Sequence, residues 1–218
     1  MKELIFSPSE FAFGYSGCKR CYYDLKNDNL RVSTAFPSIF SKLDRLQKEF
    51  YHDQNADVLS ANIEPGKIKT DYEKLQKSET LKDKKGREFI LRGKIDAYID
   101  HRTFYSIIDF KVTDIDEKKI ELYKTQLLSY AIMFERPNEK CIKLTPIKNL
   151  GIFCFEPEKI HSVNDKPSFN MKTQYYPIQR DDDYLLSFIT EIIDFLEGPK
   201  PTFDEKCGLC NLKKNNFN

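Results

Sequence analysis

The 218-residue chain is 40% hydrophobic and 32% charged, a composition that excludes a disordered or fibrous protein and fits one domain with a buried core. A formal net charge of +1 excludes little, because a balanced total can hide a basic stripe; Lys67 to Lys94 is such a basic-leaning stretch, and as a charge run alone it reads as a solvated loop. No apolar run approaches the roughly 20 residues that span a bilayer, and the opening "MKELIFSPSE" turns polar too early for a secretory signal, so a cytoplasmic protein with no membrane partner is expected.

In chain order, Ser7, Pro8 and Glu10 predict a capped helix start, with Glu10 reaching back to the cap amide. A short helix then leads to Gly17 and Cys18. From Ser38, the residues Ile39, Leu43, Leu46 and Phe50 recur at helical spacing, flanked by Phe40 and Tyr51, and predict an amphipathic helix that buries this stripe. Residues 53 to 87 have no sustained period and read as a connection with short elements. "FILRGKIDAYID" reads as a strand and "YSIIDFKVT" as its hairpin partner. With the turn at Arg102 and Thr103, His101 pairs with Phe104 and Asp96 falls opposite Asp109. A helix over Glu117 to Glu135 carries Ile120, Tyr123, Leu127, Tyr130 and Phe134 on one side, Asn149 to Phe155 reads as a buried strand, and an apolar helix covers Tyr184 to Leu196 and stops at Gly198-Pro199. The order suits an α/β fold, a mixed central sheet flanked by helices.

Two carboxylates opposite one another in a sheet repel by up to about 1 kcal/mol, so Asp96 and Asp109 call for compensation. A hard divalent cation supplies it. Lys111 shares the face of Asp109 and adds a positive charge beside any phosphate or nucleophilic water. A plain Asp-Lys ion pair on an exposed sheet face fits the same spacing.

Gly93 and Asp96, the Asp109-Phe110-Lys111 triplet after a short hairpin, and Gln126 and Tyr130 on the next helix resemble the RecB-like branch of the PD-(D/E)XK nuclease superfamily. "SPSEFAFGYSGCKRCYYDL" resembles the opening of RecB-like and CRISPR-associated exonuclease domains. The resemblance covers most of the chain and implies a restriction-endonuclease-like core. It implies that Asp96 and Asp109 bind Mg²⁺ or Mn²⁺ with the Phe110 carbonyl as a further ligand, that Lys111 positions the water, and that Gln126 and Tyr130 lie near the nucleic-acid backbone or buttress Lys111. The activity implied is phosphodiester hydrolysis on DNA ends or single strands in repair, recombination or defence, with helicases or other repair and defence proteins as partners. Such enzymes usually present a His or Glu ligand from an early helix. Here Asp44, at the flank of the apolar stripe, is the substitute, while His52 faces solvent and His101 and His161 sit in turns or loops. Should that ligand be missing, a non-catalytic nucleic-acid-binding module of the same fold is the rival.

Cys18 and Cys21 in "CKRC" and Cys207 and Cys210 in "CGLC" supply four thiolates from the two ends of the chain. Four is the number that closes a tetrahedral zinc or an iron-sulfur site. The spacing predicts a clasp joining residues 1–25 and 198–218 over the core. Some RecB-like relatives carry a [4Fe-4S] cluster with one early and three late cysteines, so Zn²⁺ and [4Fe-4S] both stay open, with a redox dithiol as a third reading. The aromatics Phe11, Phe13, Tyr15, Tyr22 and Tyr23 near the first pair are expected to fill core around the clasp rather than stack on bases. Cys154 reads as a small buried hydrophobe.

Overall fold

The hairpin at Arg102-Thr103 organises the fold. β6 (Ala97–Asp100) and β7 (Tyr105–Val112) pair antiparallel with Ala97 opposite Ile108 and Asp100 opposite Tyr105. The His101 amide donates to the Phe104 carbonyl at 3.1 Å, and Arg102 takes a positive φ of 71°, as a two-residue hairpin turn demands. The computed structural model describes residues 3–30, 37–70, 74–114 and 116–216.

Around this hairpin the other elements are β1 (Leu4–Phe6), α1 (Pro8–Glu10), a π-helical turn (Phe11–Tyr15), α2 (Lys19–Asn27), α3 (Ser38–Tyr51), a 3₁₀ turn (Ala56–Val58), β2 (Lys67–Lys69), β3 (Gln76–Lys77), β4 (Leu81–Lys82) and β5 (Glu88–Gly93). After β7 come α4 (Glu117–Leu122), α5 (Lys124–Glu135), β8 (Ile147–Val163), β9 (Lys166–Ile178), α6 (Asp182–Glu197) and α7 (Gly208–Asn216). One sheet runs β2-β6-β7-β8-β9; the other joins β5 to β1, β3 and β4. β7 and β8 are parallel, Asp109 beside Ile152 and Lys111 beside Cys154, so the chain between them must cross over. α4 and α5 make that crossover.

Alternation along β7 sorts its side chains into two cores. Ile107 joins the larger one with Leu127, Leu128, Ala131 and Phe134 of α5 and Ile189, Ile192 and Ile193 of α6. Ile108 and Phe110 join a smaller one with Tyr51, Ile99, Phe153 and Phe155. Asp109 and Lys111 therefore share the face of Ile107, on the α5 side.

Several expectations are corrected. The strand over 89–100 is broken: β5 and β6 lie in different sheets, with Lys94 to Asp96 outside either strand. The helix over 117–135 is divided at Tyr123, and from Thr125 to Phe134 it is buried all round rather than on one side, because the sheet, α1 and α6 enclose it. The strand over 149–155 continues to Val163 and turns back as β9, an arm whose outer half is exposed. His161 lies in this arm rather than in a loop, and His101 is buried, with ring nitrogens 2.8 Å from the Pro65 carbonyl oxygen and 2.8 Å from Ser106 Oγ. At the amino end, Ser7 makes no side-chain cap bond, and Glu10 instead meets Lys26 Nζ at 2.5 Å and accepts from the Tyr22 hydroxyl at 3.2 Å. The basic-leaning stretch carries the short strands β2, β3 and β4, as a connection with short elements, and ends in β5; its Arg87 is spent on Asp83, Asp194 and Glu197.

The largest correction concerns α3. Ile39, Phe40, Leu46 and Phe50 are exposed, Phe50 by 65%, whereas Gln47 and Tyr51 are buried. Periodicity identifies an apolar face but not the surface that covers it. What seats α3 is the Tyr51 ring, whose centroid lies 5.6 Å from those of Phe110 and Phe153 and 5.8 Å from that of Phe155. Tyr51→Ala is accordingly expected to cost about 3 kcal/mol by leaving a cavity, against less than about 0.5 kcal/mol for Phe50→Ala. Urea denaturation of both variants checks this; equal losses would mean that the helix is seated the other way.

Candidate active site and metal clasp

The β6–β7 pairing stops at Ala97 and Ile108, one residue before the two aspartates. Beyond it the Asp96 carboxylate takes over the role of a strand: the Phe110 amide donates to Asp96 Oδ2 at 3.1 Å. This holds Asp96 close enough for its carboxylate to push that of Asp109 up. Asp109 is 2% exposed. Its Oδ1 accepts from Gln126 Nε2 at 3.1 Å, and the same nitrogen lies 3.1 Å from the Tyr130 hydroxyl. Four residues apart on α5, Gln126 and Tyr130 project from one helical face. Lys111 Nζ lies 2.5 Å from Asp109 Oδ2 and 4.8 Å from the centre of the Tyr123 ring. The expected set of Asp96, Asp109, Lys111, Gln126 and Tyr130 is thus brought together on one side of the sheet. Phe110 turns its ring into the opposite core.

Electrostatics in this site are strained in a definite direction. Burial pushes the Asp109 carboxyl up, Lys111 pulls it back, and the Asp96 carboxylate pushes it up again, to about 7. Burial works against the Lys111 ammonium, but Asp109 and Asp96 keep it above the ordinary lysine range. Burial and the two carboxylates raise the Tyr130 phenol well above its usual range, so it stays a neutral hydroxyl.

Asp44 reaches this centre only through another side chain. Lys48 Nζ lies 2.9 Å from Asp44 Oδ2 and 3.0 Å from Asp96 Oδ1. Lys48 was not legible as a site residue, since a lone lysine on a charged helix reads as solvated; its one signal is the i, i+4 spacing to Asp44. His52 is half-buried beside Thr70 and Asp53, away from the carboxylates.

At the other centre, the four cysteine sulfurs lie within 4.8 Å of one another, with Cys18–Cys210 at 3.4 Å, Cys21–Cys210 at 3.5 Å and Cys21–Cys207 at 3.8 Å. Cys18 is the N-cap of α2, and Cys207 immediately precedes α7, so each pair places its first sulfur where a helix offers free amides and a partial positive charge. Burial pushes the Cys18 thiol up. For Cys207, burial is outweighed by the Cys210 amide, the neighbouring Cys18 and Cys21 sulfurs and the Leu209 amide, which together lower it. As expected, Phe11, Tyr15 and Tyr22 fill core nearby and Cys154 is buried; Phe13 is the exception, exposed and edge-on to Tyr123 at 5.7 Å.

The family model of the PD-(D/E)XK nuclease superfamily matches residues 26–214. The chain belongs to this superfamily. A solved structure of a protein named SSO0001 is similar in fold, with a TM-score of 0.51 at 16% identity over 92% of this chain and 81% of that one. No curated protein matches significantly. The α/β architecture, with mixed curled sheets flanked by helices, agrees with the restriction-endonuclease-like fold of PD-(D/E)XK proteins. The matched span contains the carboxylate centre and the second cysteine pair but begins after the first pair.

PD-(D/E)XK nucleases generally use divalent metal, and the carboxylate centre has the donors for one. Among the described residues Asp109 Oδ2 accepts no aligned hydrogen bond despite its ion pair, and Gln126 Oε1 is a buried acceptor with no partner. Hard oxygen donors of this kind suit Mg²⁺ or Mn²⁺. The four sulfurs likewise form a donor set that suits a thiophilic metal. No helix among the described residues is long and apolar enough to cross a membrane.

Proposed function

We propose that this chain is a Mg²⁺- or Mn²⁺-dependent deoxyribonuclease of the RecB-like type, hydrolysing phosphodiester bonds at DNA ends or in single strands in repair, recombination or defence. The observation that carries the reading is the meeting of two aspartates and a half-buried lysine at one end of the β6–β7 pair. Asp96, Asp109 and the Phe110 carbonyl would hold the ion, which supplies charge for the phosphate oxygens and lowers the pKa of a nucleophilic water. Lys111 keeps Asp109 in place and presents an ammonium beside it, where it can orient an incoming water or offset charge on a phosphate oxygen. Gln126 fixes the rotamer of Asp109, and Tyr130, kept neutral, fixes Gln126. Asp44 stands behind Lys48 rather than in the first ring of donors. Labelled single- and double-stranded DNA incubated with Mg²⁺ or Mn²⁺ tests the proposal. The wild type should cut, and Asp109→Ala and Lys111→Ala should not; binding by the wild type without cutting overturns the enzyme in favour of a nucleic-acid-binding module.

For the clasp we propose zinc rather than [4Fe-4S]. Bonds of about 2.3 Å to a tetrahedral ion set sulfur–sulfur edges of about 3.8 Å, which the spacings above approach. A four-iron cube spreads its ligand sulfurs to on the order of 6 Å. Elemental analysis should return one zinc per chain with no visible absorption; iron with a broad band near the blue end reverses the assignment.

A further inference from the structure

The centre described above contains a cation that its metal chemistry does not require. Every carboxylate oxygen there already has a positively polarised neighbour: Asp96 Oδ2 the Phe110 amide, Asp96 Oδ1 Lys48, Asp109 Oδ1 Gln126, and Asp109 Oδ2 Lys111. Three of these neighbours are anchored. Phe110 is in the strand, Gln126 is enclosed in α5, and Lys111 is held by a partner that is itself almost completely buried. Lys48 differs. It arrives from α3 on the other side of the sheet, and it has a second anion within reach, Asp44, whose side chain is 46% exposed. The helix beneath is fixed, because the Lys48 carbonyl accepts from the Thr70 hydroxyl at 2.8 Å and from the His52 amide at 3.1 Å and Tyr51 locks the same turn into the small core. Only the ammonium end is left to move, and it can do so without leaving a negative partner.

We propose that Lys48 is a built-in competitor of the divalent ion: its ammonium occupies Asp96 Oδ1 until metal arrives and then withdraws to Asp44. This rests on the reading of Asp96 and Asp109 as metal ligands and adds a device to it. An ammonium and a divalent ion drawn to one carboxylate oxygen repel one another, so the cost of displacing Lys48 is deducted from metal affinity. Asp44 makes that cost small by receiving the displaced charge, which explains why a carboxylate belongs one turn before the lysine although it does not touch the centre. The centre is thereby charge-compensated in the resting protein and is filled only when free metal is high.

Mn²⁺ binding, followed by the electron paramagnetic resonance of free Mn²⁺, tests this without recourse to activity. Mn²⁺ prefers oxygen donors, so the thiolate clasp does not mask the reading. Lys48→Met, which keeps the length of the stem, should bind Mn²⁺ about tenfold more tightly than wild type, a coupling of ordinary size, and Lys48→Arg should not. Asp44→Asn should weaken binding in the wild-type background, yet have no effect once Lys48→Met is present. Unchanged or weaker binding in Lys48→Met overturns the competitor. So does weakening by Asp44→Asn that persists in the double variant, because Asp44 would then be a ligand in its own right. Asp109→Asn separates the two levels: if it leaves Mn²⁺ binding intact, the metal-site reading itself has failed, whereas loss there with indifference in Lys48→Met sinks only the competitor. Circular dichroism melts confirm that each variant is folded.

Discussion

Asp109→Asn is expected to abolish cleavage, by about 10³-fold or more, which corresponds to about 4 kcal/mol of transition-state stabilisation. The substitution keeps the shape and the hydrogen bond from Gln126, so what it removes is the negative charge. That charge has one partner in the structure, Lys111 at 2.5 Å, and would have a second in the ion. Its loss leaves a half-buried ammonium short of its partner, which costs about 1–3 kcal/mol in stability. The double variant Asp109→Asn with Lys111→Met removes both charges and should recover most of that stability while staying inactive. Recovery of cleavage together with stability would reduce the pair to a structural ion pair. The pH dependence has a definite sign. The folded metal-free protein keeps a proton on Asp109 up to about 7, while an unfolded aspartate has released it by about 4. More protons on the folded state mean that this group's contribution to stability falls as pH rises from about 4 to about 7. Metal binds the carboxylate and not the acid, so Mn²⁺ affinity and cleavage should climb over the upper part of the same window and level off above it. A profile falling through that window would contradict the assignment of Asp109.

The parts of this centre that were legible in the sequence are those governed by local geometry. Strand alternation put Lys111 on the face of Asp109, and a two-residue turn at Arg102-Thr103 put Asp96 opposite Asp109; the observed pairing keeps that register up to Ala97–Ile108. Helical spacing put Gln126 and Tyr130 on one face. The parts that were not legible depend on what lies across a gap in the chain. α3 shows an apolar stripe at Ile39, Leu46 and Phe50, and burying it would be the natural choice, yet one tyrosine at the end of the helix finds an aromatic cluster from β7 and β8 and decides the orientation. That rotation is what carries Lys48 to Asp96. The sequence of α5 looks one-sided because polar residues such as Thr125, Gln126 and Ser129 interrupt its apolar positions; they are buried because they have bonds inside, Ser129 to the Thr125 carbonyl at 2.6 Å and Gln126 to Asp109. The outer halves of β8 and β9 carry no alternating pattern, since neither face there meets a core. Hairpin pairing of the two strands alone shapes them.

Stripping the ion from the cysteine clasp is expected to lower the melting temperature by about 10 °C or more, since each kcal/mol is worth about 2–4 °C in a chain of this size. Cys18 and Cys210 are 192 residues apart, and closing a loop of that length in the unfolded chain is worth about 5 kcal/mol on a chain-entropy estimate. Burial pushes the Cys18 and Cys21 thiols up, so these two do not stay deprotonated by themselves, while the Cys210 amide, the neighbouring sulfurs and the Leu209 amide lower Cys207. A bound ion would supply both the link and the reason for four converging sulfurs. A second tie limits the loss: Asp24 of α2, 1% exposed, meets Lys213 of α7 at 3.0 Å and Arg20 at 2.9 Å. Chelation should therefore open the clasp without separating the ends, and chelation in Asp24→Asn should separate them, with a loss larger than the sum of the two. The damage has a path to the carboxylate centre. The first cysteine follows the π-helical turn that continues α1, and α1 sets Pro8 against Gly93 and the Tyr130 ring, so tightly that a Cβ on Gly93 would lie 3.0 Å from Pro8 Cδ and 3.3 Å from Tyr130 Cε1. Slack in α1 frees Tyr130, then Gln126, then the rotamer of Asp109. Cleavage should consequently fall on chelation at temperatures where far-ultraviolet circular dichroism is still native. Melting and cleavage that are both indifferent to a thiophilic chelator, with four thiols titrating freely, would show the four cysteines to be neighbours without a metal.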